Sequence, residues 1–286
     1  MKKILITGGH GMLASDLASQ LREMGSEVLA PSRQELNVLD LPALRSAVQD
    51  SGCDTVIHTA AMHVDPCEDS PRDAFRVNAW ATRQLAAICE QSGATLVYIS
   101  TCGLFGDRVK PYSEYDDVVL KTVYARSKYF GEEGVREVMP NHLIIRPGWL
   151  FGGSPDHGKN FVFRRYEEAR SAAVMQSACD KFGSPTLTSD LASRVVELAS
   201  QQIYGTYHVA NSGRASRADY VRGILRAFRM DTPVEDVDSS AFPRKADVPD
   251  CEVLACLNSA YSGLDDLPPW QEAIERYVAG MKARFS

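Results

Sequence analysis

Tyr124 and Lys128 stand four residues apart, and their types and spacing suit proton transfer. On a helix that spacing puts both side chains on one face. A free phenol, with a pKa of ~10, is a poor acid–base catalyst near neutrality. An ammonium ~4 Å away stabilises the phenolate by about 4 kcal/mol at an effective dielectric of ~20, enough to bring the phenol close to working pH. Among the 11 tyrosines, Tyr124 alone has a lysine four residues on. Thr101 follows the apolar run ending Tyr98-Ile99-Ser100. At the carboxyl end of a strand its hydroxyl can bond and orient a substrate carbonyl.

A second constellation binds rather than reacts. Thr7-Gly8-Gly9-His10-Gly11-Met12-Leu13-Ala14 reads T-G-x-x-G-x-x-G with alanine in the last place. It follows an apolar strand pattern and precedes a helical one. That context suits a dinucleotide: a tight turn, close backbone approach to a pyrophosphate, and free N–H groups at a helix start. Gly8, Gly11, Met12 and Leu13 are the expected contacts. After the second strand, NAD-binding folds often carry an acid for the ribose 2′-hydroxyl. This chain reads Leu29-Ala30-Pro31-Ser32-Arg33 there. Ser32 and Arg33 suit a 2′-phosphate instead, so NADPH is expected over NADH, with NADH the alternative.

The elements that must position these residues alternate along the first half. Lys3–Ile6, Glu27–Ala30, Thr55–His58, Leu96–Ser100 and Leu143–Ile145 read as strands. Met12–Met24, Pro42–Asp50, Asp73–Gln91 and Val123–Met139 read as helices, with Asp40 placed to cap the second and Gly93 to end the third. Strands separated by helices predict an α/β fold, a doubly wound parallel sheet of Rossmann type. After residue 150 the alternation loosens. Thr188–Gln202, Ala218–Met230 and Trp270–Met281 read as helices and Tyr207–Ala210 as a strand. Asp231 to Pro269 reads as irregular. The expected division is 1–150 for the dinucleotide and 151–286 mainly for substrate, a smaller α+β domain, with a segment near 183–205 packing back on the first.

Composition narrows the function classes. The chain has 286 residues, 44% hydrophobic and 24% charged. At that length it buries roughly three quarters of its unfolded surface and needs no disulfide or metal to fold. A net charge of −6 argues against a dedicated nucleic-acid binder. Seven cysteines without a C-x-x-C pair suit a reducing cytoplasm. The initial apolar run is too short for a signal peptide, and no stretch approaches the ~18 apolar residues of a membrane span. The six histidines show no metal-site spacing. Arg214, Arg217, Arg222, Arg226 and Arg229 are expected on a solvated helix face, and His157 in a solvated loop.

Together these residues resemble the extended short-chain dehydrogenase/reductases, and within them the dTDP-4-dehydrorhamnose reductase family. The matching segments run the length of the chain: the glycine motif; Val64-Asp65-Pro66-Cys67-Glu68-Asp69-Ser70-Pro71 followed by Asn78; Ser100-Thr101; Val123-Tyr124-Ala125-Arg126-Ser127-Lys128; Arg146-Pro147-Gly148-Trp149; Phe182-Gly183-Ser184-Pro185-Thr186; and Pro269-Trp270-Gln271. The resemblance implies NAD(P)H-dependent reduction of a 4-keto group on a nucleotide-activated deoxysugar. Tyr124 would protonate the oxygen, and Lys128 would bind the nicotinamide ribose and lower the tyrosine pKa. Ala60 and Ala61 would line the cofactor cleft. Val64 and Trp149 would flank the sugar, Trp149 as an apolar platform. A homodimer is compatible with this reading.

Three segments depart from the family pattern. Cys102-Gly103 replaces the usual Asp-Tyr after the catalytic threonine and is expected to touch the sugar. His58-Thr59-Ala60-Ala61 replaces Asn-Ala-Ala-Ala. Arg146-Pro147-Gly148-Trp149 replaces Arg-Thr-Ser-Trp. Two other functions compete. One is a bifunctional epimerase–reductase in which Cys102 pairs with His157, as a cysteine and histidine do in the related GDP-fucose synthase. The other is a non-catalytic regulatory subunit of the same fold, like that of methionine adenosyltransferase. The complete Thr101, Tyr124 and Lys128 set argues against the second. The missing Asp-Glu pair after Thr101 argues against a dehydratase.

Overall fold

The computed structural model describes residues 1–285. The first half runs β1 (Lys3–Thr7), α1 (Met12–Glu23), β2 (Glu27–Leu29), α2 (Leu41–Gln49), β3 (Thr55–His58), α3 (Val64–Asp69), α4 (Pro71–Phe75), a π-helical turn Arg76–Trp80, α5 (Ala81–Ser92), β4 (Thr95–Ile99), α6 (Val123–Val138) and β5 (His142–Pro147). The second half adds β6 (Trp149–Phe151), α7 (Phe161–Ala169), β7 (Met175–Ala178), β8 (Phe182–Gly183), β9 (Pro185–Leu187), α8 (Thr188–Ser200), β10 (Gly205–Val209), β11 (Asn211–Ser212), β12 (Ala215–Ser216), α9 (Arg217–Phe228), β13 (Val234–Val237), β14 (Cys251–Glu252), α10 (Leu257–Tyr261), β15 (Leu267–Pro269) and α11 (Trp270–Phe285).

The main sheet has six strands in the order β10-β5-β4-β3-β1-β2, and every pair in it is parallel. Both faces are covered, so the central strands are continuous apolar runs. Alternate residues serve opposite layers. Ile4, Ile6, Ile57 and Val97 pack with Leu13, Leu17 and Leu21 of α1 and Leu191 and Val195 of α8. Leu5, Val56, Leu96 and Tyr98 pack with Leu44, Leu85 and Val135 on the other face. The local signals act as their chemistry dictates. Asp40 accepts the Ala43 N–H at 3.1 Å. Gly93 ends α5 with φ +68°, a conformation that favours glycine.

In the second half, α8 lies on the sheet's helical layer, in line with the expected return of a segment near 183–205, and β10 extends it as an edge strand of the main sheet. The stretch 231–269 carries β13, β14, α10 and β15. These elements are two to five residues long, too short for a periodic signal, and they hold their shape by pairing with β7, β8, β11 and α9's neighbourhood. Their core gathers Trp149, Phe151, Tyr220, Ile224, Trp270 and Ile274. Among the described residues no helix is long and apolar enough to cross a membrane.

The π-helical turn and one buried ion pair position α6, the helix that carries Tyr124 and Lys128. The turn directs Asn78 inward, where its amide bonds both backbone groups of Met62 (2.8 and 3.0 Å) and the Ser127 hydroxyl at 3.0 Å. Glu132 of α6 is fully buried and takes two bonds from Arg146 of β5 (2.9 and 2.7 Å), one from Ser100 (2.5 Å) and one from Arg136 (2.7 Å). Burial works against the Glu132 charge, but the Arg146 hydrogen bonds and charge, with Arg136, outweigh it and hold the carboxyl below its ordinary value. Removing one partner strands the other charge. Glu132→Ala is therefore expected to cost about 3–5 kcal/mol in urea denaturation. The native carboxyl titrates below a free glutamate, so the pair's contribution is complete above pH ~4.3 and is lost as pH falls through the native value. Glu132→Gln should flatten that acid limb; an unchanged limb would remove the assignment.

Candidate active site

The site opens at the carboxyl ends of β1, β3 and β4. Gly8 has φ +74°, and a Cβ there would lie 3.1 Å from the Ala60 backbone. A Cβ on Gly9 would lie 2.0 Å from the Ala30 carbonyl oxygen. Neither position admits a side chain. Gly11 is the N-cap of α1 and offers no side-chain acceptor, so the first N–H groups of the helix face the cleft uncapped. Gly153 of the loop after β6 roofs this end, since its Cβ would lie 3.0 Å from the Met12 Cβ. This cradle fits a pyrophosphate. Leu13 is buried, so its part there is played by the backbone.

Ala60 and Ala61 form the opposite wall, directly after β3. His58 braces it. Its ring bonds the Thr7 hydroxyl at 2.7 Å and the Thr82 hydroxyl at 3.1 Å and stacks on Tyr98. Burial, with the nearby Lys128 charge, pushes His58 down to about 3, so the ring is neutral.

Ser32 and Arg33 follow β2. Ser32 is buried, its N–H donates to Glu35 at 2.8 Å, and its hydroxyl accepts the Glu35 N–H at 3.3 Å. These bonds hold the Glu35 carboxyl below its ordinary value. An acid does stand in this loop, three residues past Ser32, but it is engaged with the loop's own backbone. Arg33 is exposed and makes no ion pair among the described residues.

Tyr124 and Lys128 rise from the first turns of α6, which Thr122 caps through the Ala125 N–H at 2.9 Å. Thr101 stands beyond β4, where its hydroxyl accepts the Gly103 N–H at 3.0 Å and lies near enough to the Tyr124 phenol to favour its ionised form. Among the described residues no hydrogen bond joins Tyr124 to Lys128. Lys128 Nζ donates to the Ile99 carbonyl at 2.7 Å and lies 4.1 Å over the Tyr98 ring. It is buried deeper than the phenol, and burial lowers it to about 7. Burial likewise raises Tyr124 above its ordinary value, outweighing the nearby Thr101 hydroxyl. Desolvation dominates because the ammonium is bound elsewhere.

The sugar-facing end corrects three expectations. Trp149 is no open platform. It is 8% exposed, the Arg217 guanidinium lies 3.3 Å over its ring, and Gly183 lies so close that a Cβ would be 2.2 Å from the indole. Arg217 is therefore not on a solvated face: it starts α9 at the cleft. Cys102 does not pair with His157. Its thiol lies 3.7 Å from Glu252 Oε1, and burial, with that carboxylate, pushes it well above the ordinary thiol value. His157 instead accepts the Lys159 N–H at 3.2 Å. It neighbours His63, the N-cap of α3, whose first residue is Val64. His63 is pushed down to about 4 by desolvation of its ring among the surrounding protein, with Lys159, Lys128 and His157. Glu252 and Arg217 are the site residues that sequence reasoning missed. Glu252 lies in a two-residue strand without periodicity, and no local signal marks it.

With this geometry the comparisons with known proteins agree. Residues 1–283 match the family described as RmlD substrate binding domain. The chain belongs to this family. The dTDP-4-dehydrorhamnose reductase of Mycolicibacterium smegmatis is 34% identical over 285 residues, 98% of this chain and 86% of that protein. The spore coat polysaccharide biosynthesis protein SpsK of Bacillus subtilis is 32% identical over 280 residues, 97% of each. The dTDP-4-dehydrorhamnose reductase of Bacillus anthracis, solved in complex with NADP, superposes with a TM-score of 0.93 at 30% identity, covering 98% of this chain and 100% of that one.

Family membership leaves the local role of Trp149 to its packing here. Trp149→Ala is expected to cost about 3–5 kcal/mol in stability, the range for a large aromatic removed from a core. Denaturation with urea measures it. A loss under 1 kcal/mol would return Trp149 to the open-platform role.

Proposed function

We propose that this chain is an NADPH-dependent reductase of the 4-keto group of a dTDP-activated deoxysugar. The observation that carries the reading is the Thr101–Tyr124 hydroxyl pair at the end of β4, beside an uncapped glycine loop. Relatives named dTDP-4-dehydrorhamnose reductase, and one solved with NADP, support it.

The uncapped N–H groups of Met12 and Leu13 receive the cofactor's pyrophosphate, roofed by Gly153. Ser32 and Arg33 would hold the adenosine ribose, and the exposed guanidinium of Arg33 suits a 2′-phosphate. Ala60 and Ala61 wall the nicotinamide end. When bound, the cofactor supplies a hydride to the sugar carbonyl carbon. The carbonyl oxygen would sit between the Thr101 and Tyr124 hydroxyls. Thr101 orients it, and Tyr124 donates the proton. With its value held above the usual phenol, Tyr124 keeps that proton across neutral pH. Lys128 stands one helical turn behind, and a nearby anionic cofactor favours its charged form. Cys102, held as a thiol, serves this scheme as an apolar wall. All seven cysteines are free thiols, which supports a cytoplasmic setting.

Two variants test the roles. Tyr124→Phe should lower kcat by about 10²–10⁴ with the NADPH dissociation constant unchanged. Retention of a tenth of wild-type turnover on a panel of 4-keto nucleotide sugars would contradict the assignment. Arg33→Ala should weaken NADPH and leave NADH untouched, read by fluorescence titration of both. Equal loss for the two cofactors would detach Arg33 from the 2′-phosphate.

A further inference from the structure

One carboxylate in the cleft has no role in the reaction just described. β14 pairs in parallel with β8 and carries Glu252 from the C-terminal layer to the end of β4. Its Oε2 accepts the Trp149 indole N–H at 2.6 Å. Its Oε1 faces the Cys102 thiol at 3.7 Å. A methyl placed on Gly103 would lie 3.2 Å from that same Oε1 and 3.4 Å from the Thr101 hydroxyl. The carboxylate and the catalytic threonine thus both border Gly103, whose missing side chain lets them approach the same point.

Glu252 retains acceptor capacity. A carboxylate has about four lone-pair sites, of which the indole takes one and the thiol takes a weak second. The residue is half-buried, and no ion pair to it is formed among the described residues. Arg217, the nearest cation, spends its guanidinium face on the Trp149 ring. Trp149, itself clamped between Arg217 and Gly183, holds the carboxylate in one orientation.

We propose that Glu252 is a specificity-determining residue that accepts a hydrogen bond from the C3 hydroxyl of the 4-keto sugar. The inference rests on the reductase reading above. With the C4 oxygen between Thr101 and Tyr124, a neighbouring ring carbon meets Glu252. C5 of a 6-deoxyhexose bears a ring oxygen and a methyl group, neither of which donates. A half-buried carboxylate set against a methyl would lose water without a replacement bond. C3 bears the hydroxyl that replaces the water, and a charge-assisted bond rewards it. A sugar lacking that hydroxyl leaves the acceptor unpaired, and sites built around a buried polar group reject such analogues.

The test compares kcat/KM for a dTDP-4-keto-6-deoxyhexose and its 3-deoxy analogue, with NADPH, in wild type, Glu252→Gln and Glu252→Ala. A bond to a charged group predicts a wild-type preference of roughly ten- to a hundredfold for the 3-hydroxy sugar. Glu252→Ala should bring the ratio near one. Glu252→Gln, which keeps the shape and one carbonyl acceptor, should fall between. A wild-type ratio near one, which needs no variant to read, overturns the inference. So does a ratio that both variants leave unchanged. If the wild type reduces neither ketone, the reductase reading itself falls, and this inference falls with it.

Discussion

The buried carboxylate of Glu132 is the point on which the reactive geometry depends. It joins α6 to β5 through Arg146 and to the end of β4 through Ser100. Those are the elements that carry Tyr124, Lys128 and Thr101. A charge pair in this place is not an economical source of stability, because desolvation offsets most of the attraction. What it provides is position. Each bond has a direction, and together they fix the rotation and height of α6 against the sheet. An apolar contact of equal area would leave the helix free to slide.

The same logic extends outward through the buried polar side chains. His58, Thr7 and Thr82 tie the end of β3 to the glycine loop and α5. Asn78 ties the wall after β3 to α6 through Met62 and Ser127. The π-helical turn that aims Asn78 inward disturbs one stretch of helix to serve that purpose, a frequent use of such turns near functional sites. Lys128 is the one cation this network leaves without a carboxylate, bound only to a carbonyl and a ring face. The neutral His58 and the depressed His63 add no competing positive charge at neutral pH.

The sugar-facing side is assembled on other terms. Its strands are two to four residues long and cannot stand alone. They hold because β8 pairs on both sides, with β12 and β14, and because Trp149, Phe151, Tyr220 and Trp270 fill one core beneath them. Trp149 ends up as a structural post. Its ring carries Arg217, and its N–H aims Glu252. An exposed indole offers an apolar face; this one is covered by a cation and bonded to an anion, so the wall it forms is polar. This altered wall coincides with Cys102-Gly103 and Pro147-Gly148, where small residues give Glu252 and Ser184 room. A Cβ on Gly148 would meet the Ser184 carbonyl oxygen at 2.1 Å.

The doubly wound sheet was legible in the sequence by itself, and so was the placing of Thr101 after β4 and of Tyr124 and Lys128 on one helix. Continuous apolar runs, the Leu13, Leu17 and Leu21 stripe, the Asp40 cap and the glycine turn are local facts, set by backbone sterics and by helical or strand period. The Tyr124–Lys128 spacing puts two side chains on one helix face wherever that helix goes. The environment of those side chains was not legible, because pKa values depend on what encloses a group. Lys128 was read as the partner that lowers Tyr124, but tertiary packing gave its ammonium to Ile99 and buried the phenol. Glu252 and Arg217 were invisible for a related reason. One lies in a strand too short to show a period, and the other in an arginine run that resembles a solvated face. They meet Trp149 only because β14 pairs with β8 and α9 begins at the cleft. Contacts between residues a hundred positions apart follow from how the layers stack, and no local pattern encodes them.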